Sequence, residues 1–421
     1  MSASIQPGIK RVEISCTGLN PIAWLASQTN EPRYYWSSRD GTMERAGAGC
    51  IDRIQGKSLN DLPEAFRVMR QRLKGADAKY FGGVAFNDRC CGQEWEGFGA
   101  YEFILPKAEI IRANGQTVLA VYTREGEEDI EFWKASLNPH AVADEHYRFV
   151  SKFENPGFEI WEKTLNHVFD DFERQIYQKI VLARCMECRM DKAVDPLVIL
   201  QRLKTSNINS HVFAWMPQAG RAFLGVTPER LYKRSGRKIE SEAVAGTMPR
   251  GRDAQEDLSF EKDLLSSLKN ESEHRFVVEY ILKVFRQLCR EYFYDKTIHL
   301  LKLSDNQHLL TKFQGLLKDD VSDEMIIRSL HPTPAVGGYP RESAAAKILS
   351  YEAINRGWFT GLIGSVGIEE TELAVAIRSG LIRDDKVYLY AGAGIVEGSE
   401  AQDEWKEVEG KMKGWMKVLQ E

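Results

Sequence analysis

The sequence predicts an α+β fold built on antiparallel β-sheets. Alternating apolar and polar runs are joined by hairpin turns, as at Asn114-Gly115 within residues 99–123, and such turns connect antiparallel neighbours. Segments with helical periodicity interrupt these runs at irregular intervals, which argues against a doubly wound parallel sheet. The 421 residues show neither a repeat of fixed period nor a low-complexity linker, so we predict a single large domain spanning residues 1–421.

The first 150 residues are predicted to be mainly scaffold. Strand-like runs cover 33–41, 79–88 and the hairpin at 99–123, and the clearest early helix covers 59–74. A glycine pair in the second of these runs indicates a β-bulge. Because this part contains neither clustered histidines nor a phosphate-binding loop, we expect residues 151–421 to carry the chemistry.

Residues 151–421 alternate between strong helices and strands. An apolar stripe through Trp161, Leu165 and Val168 predicts an amphipathic helix over 158–178. Further helices are predicted over about 256–292, 321–330 and 342–355, and a last one follows Gly398. Strands are predicted over 179–184, 221–247, 296–303, 358–368, 372–383 and 386–391, with a basic amphipathic segment through residue 317.

The composition excludes several classes of function. A net charge of -5 gives no general attraction to nucleic acid or to anionic membranes. No apolar run is long enough to span a bilayer, and residues 1–15 lack the apolar core of a signal peptide. We therefore expect a soluble cytoplasmic protein.

Seven cysteines, at positions 16, 50, 90, 91, 185, 188 and 289, form an odd and scattered set. A cytosolic chain of this size needs no disulfides. Cys185 and Cys188 form a C-x-x-C pair, but no second pair and no histidine partner follows at zinc spacing. Reduced thiols are the simplest interpretation.

One face of the last helix carries Glu404, Glu407 and Lys411, at positions i, i+3 and i+7. Two carboxylates and an ammonium on one stripe suit a divalent cation beside an anionic ligand. The alternative is a solvated stripe with a salt bridge from Glu407 to Lys411. Glu273, in the middle of a predicted helix, shares an apolar stripe with Val277, where a charge is costly unless it is paired or binds a metal.

Two glycine turns are candidates for contact with an anionic ligand. Gly392 and Gly394 break the strand before the last helix, and glycine lets a ligand approach the main chain. Gly246 and Thr247 end the run AVAGT, whose backbone N–H groups and threonine hydroxyl could bind a carboxylate. Both stretches can equally be ordinary turns.

Two residues of opposite charge are candidates for proton transfer. Lys179 opens an apolar strand; such a lysine ordinarily extends to solvent, whereas burial favours the neutral form that acts as a general base. Glu229 follows Pro228 at a predicted bend, where it could donate a proton or simply pair with Arg230 or Arg234.

His331 and Arg378 complete the set of candidates. His331 begins the stiff loop HPTPAVGG, where a lone histidine is ordinarily structural. Arg378 ends the alternating run ELAVAIR, which places it on one strand face with Ala374 and Ala376. Small residues beside an arginine leave room for a bidentate carboxylate.

Eight segments of the chain, in the same order, resemble the chorismate-utilising enzymes. They cover most of residues 175–415 and read KIVLAR, GVTPERL, SEAVAGTMPRG, NESEHRFVV, LHPTPAVGGYPRESA, RGWFTGLIGSVG, ELAVAIRSGLI and YAGAGIVEGSEAQDEWKEVEGK. The family includes isochorismate synthase, salicylate synthase, and component I of anthranilate synthase and of aminodeoxychorismate synthase. One such segment is a weak signal, but eight in family order are specific.

The resemblance implies two stacked antiparallel β-sheets flanked by helices, an aminodeoxychorismate synthase-like fold, with a Mg²⁺-dependent site. Lys179 matches a lysine that isochorismate and salicylate synthases carry and anthranilate synthases lack. Ala245 stands where one type of aminodeoxychorismate synthase has a nucleophilic lysine, so water is the expected nucleophile. Within the family, the chain is most similar to isochorismate synthases of the menaquinone pathway.

The resemblance also implies roles for the candidate residues. Lys179 would take a proton from the water that attacks C2 of chorismate, and Glu229 would protonate the departing C4 hydroxyl. Mg²⁺ would be held by Glu273 and Glu404, with Glu407 nearby or acting through water. The substrate would be bound by Gly246, Thr247, His331, Arg378, Gly392, Gly394 and Lys411.

Two alternatives to this function stay open. A salicylate synthase would go on to eliminate pyruvate, although Phe359 stands where salicylate synthases have a tyrosine; a non-catalytic relative would act as a binding or regulatory subunit. Because water is the expected nucleophile, no glutamine amidotransferase subunit is expected. We expect no nucleic-acid or membrane partner, a monomer or weak homo-oligomer, and a product used for quinone or siderophore synthesis.

Overall fold

The computed structural model describes residues 9–89, 92–124 and 130–420, which form two stacked β-sheets between two layers of helices. The strands are β1 (Lys10–Ser15), β2 (Arg33–Ser37), β3 (Met43–Ala48), β4 (Asp52–Gly56), β5 (Tyr80–Val84), β6 (Tyr101–Leu105), β7 (Ala108–Ala113), β8 (Gln116–Thr123), β9 (Phe149–Asn155), β10 (Lys179–Met190), β11 (His211–Gln218), β12 (Arg221–Thr227), β13 (Arg230–Ser235), β14 (Lys238–Pro249), β15 (Cys289–Tyr294), β16 (His299–Lys302), β17 (Asn306–Leu317), β18 (Gly338–Tyr339), β19 (Leu362–Val366), β20 (Glu370–Val375), β21 (Ser379–Arg383) and β22 (Lys386–Val396). The helices are α1 (Pro21–Ala26), α2 (Leu62–Arg72), α3 (Ile130–Ala135), α4 (Phe158–Glu173), α5 (Pro196–Ser206), α6 (Ala254–Ser266), α7 (Leu268–Leu288), α8 (Asp323–Leu330), α9 (Arg341–Tyr351) and α10 (Ala401–Gln420).

Both sheets are antiparallel throughout the described residues. Sheet A has 12 strands in the order β1-β8-β7-β3-β2-β11-β12-β21-β22-β10-β18, with β9 also paired to β10. Sheet B has 10 strands in the order β15-β17-β14-β13-β20-β19-β5-β6-β4, with β16 also paired to β17. The predicted fold class, α+β with two stacked antiparallel sheets flanked by helices, is confirmed.

Aromatic side chains fill the space between the sheets. Tyr34 of β2 in sheet A stacks on Phe81 of β5 in sheet B, with ring centroids 4.2 Å apart. The rings of Trp215 and Trp358 lie 5.9 Å apart in the same cluster. Such pairs contribute about 0.5–1.5 kcal/mol beyond the area that they bury. On the other faces, α1, α4, α5, α9 and α10 pack on sheet A, and α2, α7 and α8 pack on sheet B.

Two neighbouring segments of the chain each pass from one sheet to the other. β12 of sheet A leads through Glu229 into β13 of sheet B, and β20 of sheet B leads through Arg378 into β21 of sheet A. The Val375 N–H donates to the Glu229 carbonyl at 3.0 Å, and the Val226 N–H donates to the Arg378 carbonyl at 3.2 Å. These bonds hold Glu229 and Arg378 at the junction of the sheets.

Two predicted elements are split in the structure. The predicted strand over 372–383 is β20 and β21 in different sheets, so Arg378 does not continue the strand face of Ala374. The predicted helix over 256–292 is α6 and α7 followed by β15. Ser267 separates the two helices because its hydroxyl accepts a hydrogen bond from the Asn270 N–H at 3.3 Å, which caps the start of α7.

Three further elements differ from the prediction. β22 continues to Val396, so Gly392 and Gly394 lie within a strand rather than in a loop. The segment predicted to be basic and amphipathic up to residue 317 is strand β17. Helix α5 was not predicted, because Leu197, Val198, Ile199 and Leu200 are all buried and leave little contrast between its faces.

The first 150 residues contribute strands to both sheets. β2 pairs with β11, and β5 pairs with β19. The division into a scaffold part and a catalytic part stays a prediction. Five cysteines, those at 16, 50, 185, 188 and 289, are free thiols, whereas Cys90, Cys91 and residues 1–8 lie outside the described residues.

None of the helices in the described part of the chain has both the length and the apolar character needed to cross a membrane.

Candidate active site

A cavity beside the two crossings collects most of the predicted site residues. It contains about 700 Å³ of space free of protein atoms, its mouth included. Seven predicted residues lie in its wall, namely Glu229, Gly246, Thr247, Glu273, Arg378, Gly392 and Lys411. The wall is formed entirely by residues from Val181 to Lys411, which fall in the part of the chain predicted to carry the chemistry.

Glu229 is a buried carboxyl with 3% of its surface exposed. Burial raises its pKa to about 7, although the hydrogen bond from the Thr333 hydroxyl and the charge of Lys179 act to lower it. Arg230 and Arg234, the alternative partners, pair with other carboxylates. A carboxyl with this pKa holds its proton in much of the population near neutral pH, so it can serve as an acid.

Lys179 and Glu273 form an ion pair between β10 and α7. Lys179 Nζ lies 3.0 Å from Glu273 Oε1; the lysine side chain is fully buried and the glutamate side chain is 19% exposed. Burial acts to raise the pKa of Glu273, but the charge of Lys179 and its hydrogen bond outweigh burial and lower it. Lys179 therefore does not extend to solvent, and Glu273 is paired as the sequence led us to expect of a charge on an apolar stripe.

Gly394 explains how this ion pair fits against β22. A Cβ atom at position 394 would lie 2.6 Å from Glu273 Oε1 and 3.0 Å from Lys179 Cε. Close approach of side chains, rather than of a ligand, is thus what requires glycine here. A Cβ atom at position 392 would lie 2.8 Å from the Leu182 carbonyl oxygen.

Replacing Gly394 by alanine is expected to lower the free energy of unfolding by about 1–3 kcal/mol, because the added methyl overpacks the ion pair. Denaturant unfolding measures this change. Gly410→Ala in α10 is the matched control, since a Cβ there meets nothing within 4 Å; it is expected to stabilise the protein by roughly 0.5–1 kcal/mol. Unchanged stability of the Gly394→Ala protein would contradict the packing argument.

Glu404, in the first turn of α10, is an almost fully buried carboxylate whose two oxygens differ. Its Oε1 accepts hydrogen bonds from Lys269 Nζ and Ser399 Oγ, both at 2.6 Å. Its Oε2 is buried and makes no hydrogen bond within the described residues. Burial and the charge of Glu407 raise the pKa of Glu404, and Lys269 acts in the opposite direction. An unused buried oxygen of this kind is a potential ligand atom for a cation.

Each of the three carboxylates predicted to bind a metal has a lysine partner. The pairs are Glu273–Lys179 at 3.0 Å, Glu404–Lys269 at 2.6 Å and Glu407–Lys411 at 2.7 Å. In the described parts of the chain, no three His, Cys, Asp or Glu side chains come together closely enough to hold a metal by themselves. Mg²⁺ commonly takes only one or two protein carboxylates and keeps several waters, so the donor set fits it.

His308, which the sequence did not single out, bridges two sides of the cavity. Its Nδ1 lies 3.0 Å from the Gly246 carbonyl and 3.2 Å from Thr247 Oγ1, and its Nε2 lies 2.6 Å from Arg378 Nη2. Burial and the charge of Arg378 lower the pKa of His308 to about 3. The neutral ring therefore donates to Gly246 and accepts from Arg378. Nothing in the surrounding sequence NQHLLTKF marks this role.

Arg378 is a partly buried cation whose nearest side-chain partner is uncharged. It donates to neutral His308, and no carboxylate lies within ion-pair distance among the described residues. Burial lowers its pKa to about 10, so it stays charged at neutral pH. A partly buried guanidinium without a carboxylate partner is well suited to bind an anionic ligand.

Gly246 forms a β-bulge in β14. The register with β17 shifts between Ala245 and Thr247, and Gly246 has a φ of +74°, which glycine adopts at no steric cost. The Thr247 N–H is already bonded to Asn270 Oδ1 at 3.3 Å. The Thr247 hydroxyl, rather than its N–H, is therefore the group that can face a ligand.

Two predicted substrate-binding residues, His331 and Gly394, are absent from the cavity wall, and His331 lies away from it in its loop. Its ring packs edge-on against Phe86, with centroids 6.3 Å apart, and it is absent from the cavity wall. The loop turns after it, through a hydrogen bond from the Gly337 N–H to the Thr333 carbonyl at 2.9 Å. That turn presents Ala335 and Val336 to the cavity instead.

Known proteins resemble this chain over nearly its whole length. A family model described as "Chorismate binding enzyme" matches residues 2–420. The chain is 31% identical over 473 residues to "Isochorismate synthase, chloroplastic" from Catharanthus roseus, covering 99% of this chain and 82% of that protein. It is 31% identical over 431 residues to isochorismate synthase MenF from Bacillus subtilis, covering 95% and 91%. The solved structure of MenF, the menaquinone-specific isochorismate synthase from Escherichia coli, matches with a TM-score of 0.89 at 27% identity, covering 99% of this chain and 95% of that chain.

Proposed function

This chain belongs to the chorismate-binding enzyme family, and we propose that it is an isochorismate synthase, an isomerase that converts chorismate to isochorismate. The observation that carries the proposal is the near full-length similarity to isochorismate synthases from a plant and from bacteria. The reaction adds a hydroxyl at C2 of chorismate, shifts the ring double bonds and releases the C4 hydroxyl. It therefore needs one group that takes a proton from water and another that gives a proton to the leaving group.

Glu229 is proposed to be the acid. Its raised pKa, about 7, supports this role, because the carboxyl keeps a proton where an exposed glutamate would have lost it. Its position in the cavity wall, with no arginine partner in the described part of the chain, leaves that proton available for the departing C4 hydroxyl. General acid catalysis of this kind contributes about 10²–10⁴-fold to a rate.

Lys179 is proposed to be the base that activates water at C2. Only the neutral amine can accept a proton, whereas Lys179 Nζ is engaged in an ion pair with Glu273 Oε1 at 3.0 Å. Glu273 must therefore be engaged by another positive charge before Lys179 acts. Ligation of a cation by Glu273 would meet this requirement, so the two proposed roles are compatible.

The two carboxylates of chorismate would bind at two positions in the site. Arg378 and Lys411 are proposed to hold the carboxylate of the enolpyruvyl side chain, because both cations lie in the cavity wall and Arg378 pairs with no carboxylate among the residues that the structure describes. The Thr247 hydroxyl and the main chain at Gly246, Gly392 and Gly394 would complete the substrate contacts. His308 would orient Arg378 through its 2.6 Å contact.

Mg²⁺ is the proposed cofactor, held by Glu273 and Glu404 with Glu407 nearby or acting through water. The buried, unbonded Oε2 of Glu404 supports this assignment. When bound, the ion would supply a positive charge for the ring carboxylate of chorismate. The residues of this chain would position that ion and move the protons.

Water is the proposed nucleophile, and a glutamine amidotransferase subunit is not expected. Ala245 has no amino group that could attack the ring, and its side chain lies in the cavity wall. We further propose that the enzyme works as a monomer or weak homo-oligomer.

Incubating the purified protein with chorismate and Mg²⁺ tests the proposal, with products separated by liquid chromatography. Isochorismate is expected, and a chelator is expected to stop its formation. Fluorescent salicylate together with pyruvate would instead identify a salicylate synthase. Absence of turnover at every Mg²⁺ concentration would favour a non-catalytic binding or regulatory relative.

A further inference from the structure

We infer that Lys269 is a built-in counter-ion for Glu404, which a divalent cation must displace in order to bind. The inference rests on the proposed function, because it assigns the Glu404 carboxylate to the cation. It concerns a lysine outside the cavity wall that has no part in the proposed proton transfers. It makes Lys269 a positioning residue that keeps the carboxylate in place and weakens cation binding.

The environment of Glu404 requires a positive partner. The carboxylate side chain is 1% exposed, and an ionised carboxylate so deeply buried is costly unless it is paired. Lys269 Nζ and Ser399 Oγ both reach the same oxygen, Oε1, at 2.6 Å, while the buried Oε2 makes no hydrogen bond within the described residues. The pair thus neutralises Glu404 and holds its rotamer while leaving one oxygen unused.

Lys269 can leave more readily than the other two lysines of the site. Its side chain is 42% exposed, against 0% for Lys179 and 22% for Lys411. Lys411 is also tied to the Gly392 carbonyl at 2.8 Å, whereas the hydrogen bond described for Lys269 Nζ is the one to Glu404. A flexible, half-exposed lysine at the start of α7 can turn its ammonium into solvent at little cost.

Charge balance gives the exchange its direction. Three carboxylates face three ammoniums, so the cluster is neutral before a cation arrives. A dication added to a neutral cluster would be repelled by the lysines, and departure of the Lys269 ammonium removes the repulsion nearest to Glu404. The cation therefore competes with Lys269 for the same carboxylate, and loss of this lysine should tighten cation binding.

The test compares Mn²⁺ binding by Lys269→Met, Lys269→Arg, Lys406→Met and the unaltered protein, without chorismate, by the electron paramagnetic resonance of free Mn²⁺. Lys406 lies on α10, is 64% exposed and pairs with Asp403, so its replacement removes the same charge without touching Glu404. We expect Lys269→Met to lower the Kd roughly tenfold, the equivalent of one modest ion pair. Lys269→Arg and Lys406→Met should leave the Kd within about twofold of the unaltered protein.

Thermal unfolding supplies a second readout. Metal-free Lys269→Met should have a lower Tm than the unaltered protein, because Glu404 has lost its partner, and Mn²⁺ should restore it. Should Lys269→Met not fold without metal, it is purified and measured with Mn²⁺, and Lys269→Gln replaces it in the titration.

The outcomes separate this inference from the proposed function. Unchanged or weaker binding by Lys269→Met, while the unaltered protein binds Mn²⁺, overturns the role of Lys269 and leaves the proposed function standing. Equal tightening in Lys406→Met also overturns it, since net charge alone would then account for the effect. Absence of Mn²⁺ binding in all the proteins overturns the metal site itself.

Discussion

Replacing Glu229 by glutamine is expected to lower kcat/KM for chorismate by about 10²–10⁴-fold, because the amide keeps the shape of the side chain but has no acidic proton. The Thr333 hydroxyl, 3.3 Å from Glu229 Oε1, can still donate to the amide oxygen. Isochorismate formation measured by liquid chromatography gives the rate. Glu102→Gln is the matched control, because Glu102 is also a buried carboxyl with a raised pKa but lies in β6, outside the cavity wall.

The pH dependence of Glu229 gives the same prediction a second measurement. An acid must be protonated, so kcat/KM should fall as the pH rises through about 7, the pKa of Glu229. Stability should also fall as the pH rises, for a different reason. The unfolded carboxyl loses its proton near 4.5 and the folded one near 7, so ionisation favours the unfolded state and the free energy of unfolding falls between these values.

Glu229→Gln should therefore lose activity and gain stability together. Above pH 7 the free energy of unfolding is expected to rise by up to about 3 kcal/mol, because glutamine has no buried charge. Denaturant unfolding at pH 5 and pH 8 measures this difference, which should be small at the lower pH. A variant that keeps its turnover, or whose stability falls more at pH 8 than at pH 5, would remove Glu229 from the acid role.

Replacing Lys179 is expected to be equally damaging, with kcat reduced by about 10²–10⁴-fold. Two variants separate its charge from its basicity. Lys179→Met removes both, whereas Lys179→Arg keeps the cation beside Glu273 but cannot accept a proton near neutral pH. If Lys179 is the base, both variants lose turnover; if it serves only as a charge, the arginine variant keeps most of it.

The free energy of unfolding should differ between these two variants even though both are expected to lose turnover. Lys179→Met leaves Glu273 without the partner now 3.0 Å away, so the free energy of unfolding is expected to fall by about 1–3 kcal/mol. Lys179→Arg should be closer to the unaltered protein because the ion pair can re-form. Thermal unfolding of both proteins, with kcat measured on the same preparations, keeps a folding defect from being mistaken for a catalytic one.

Local periodicity predicted much of the fold correctly. The apolar stripe of α4 and the apolar run that opens β10 are properties of neighbouring residues, which any short stretch of chain expresses by itself. The shared face of Glu404, Glu407 and Lys411 was recognised for the same reason, and the i,i+4 contact from Glu407 to Lys411 is present at 2.7 Å. Eight motifs in family order then supplied the chemistry that periodicity cannot give.

Sheet membership could not be read in the same way. The run from 372 to 383 alternates like one strand, yet it passes from sheet B to sheet A at Arg378. Alternation records which side chains are buried, and both halves are buried on both faces. The first half pairs with β13 and the second half with β12, both of which lie far earlier in the chain.

The sequence alone determined the family, the secondary-structure elements with regular periodicity and the set of charged residues available for chemistry. Only the tertiary structure decided which charges meet. Lys179 pairs with Glu273 across 94 positions and Lys269 pairs with Glu404 across 135, while His308 joins Arg378 to Gly246 and His331 turns away to Phe86. Periodic patterns report only on residues close together in the chain. An ion pair between distant elements depends on how those elements pack, and their packing is determined by the whole core.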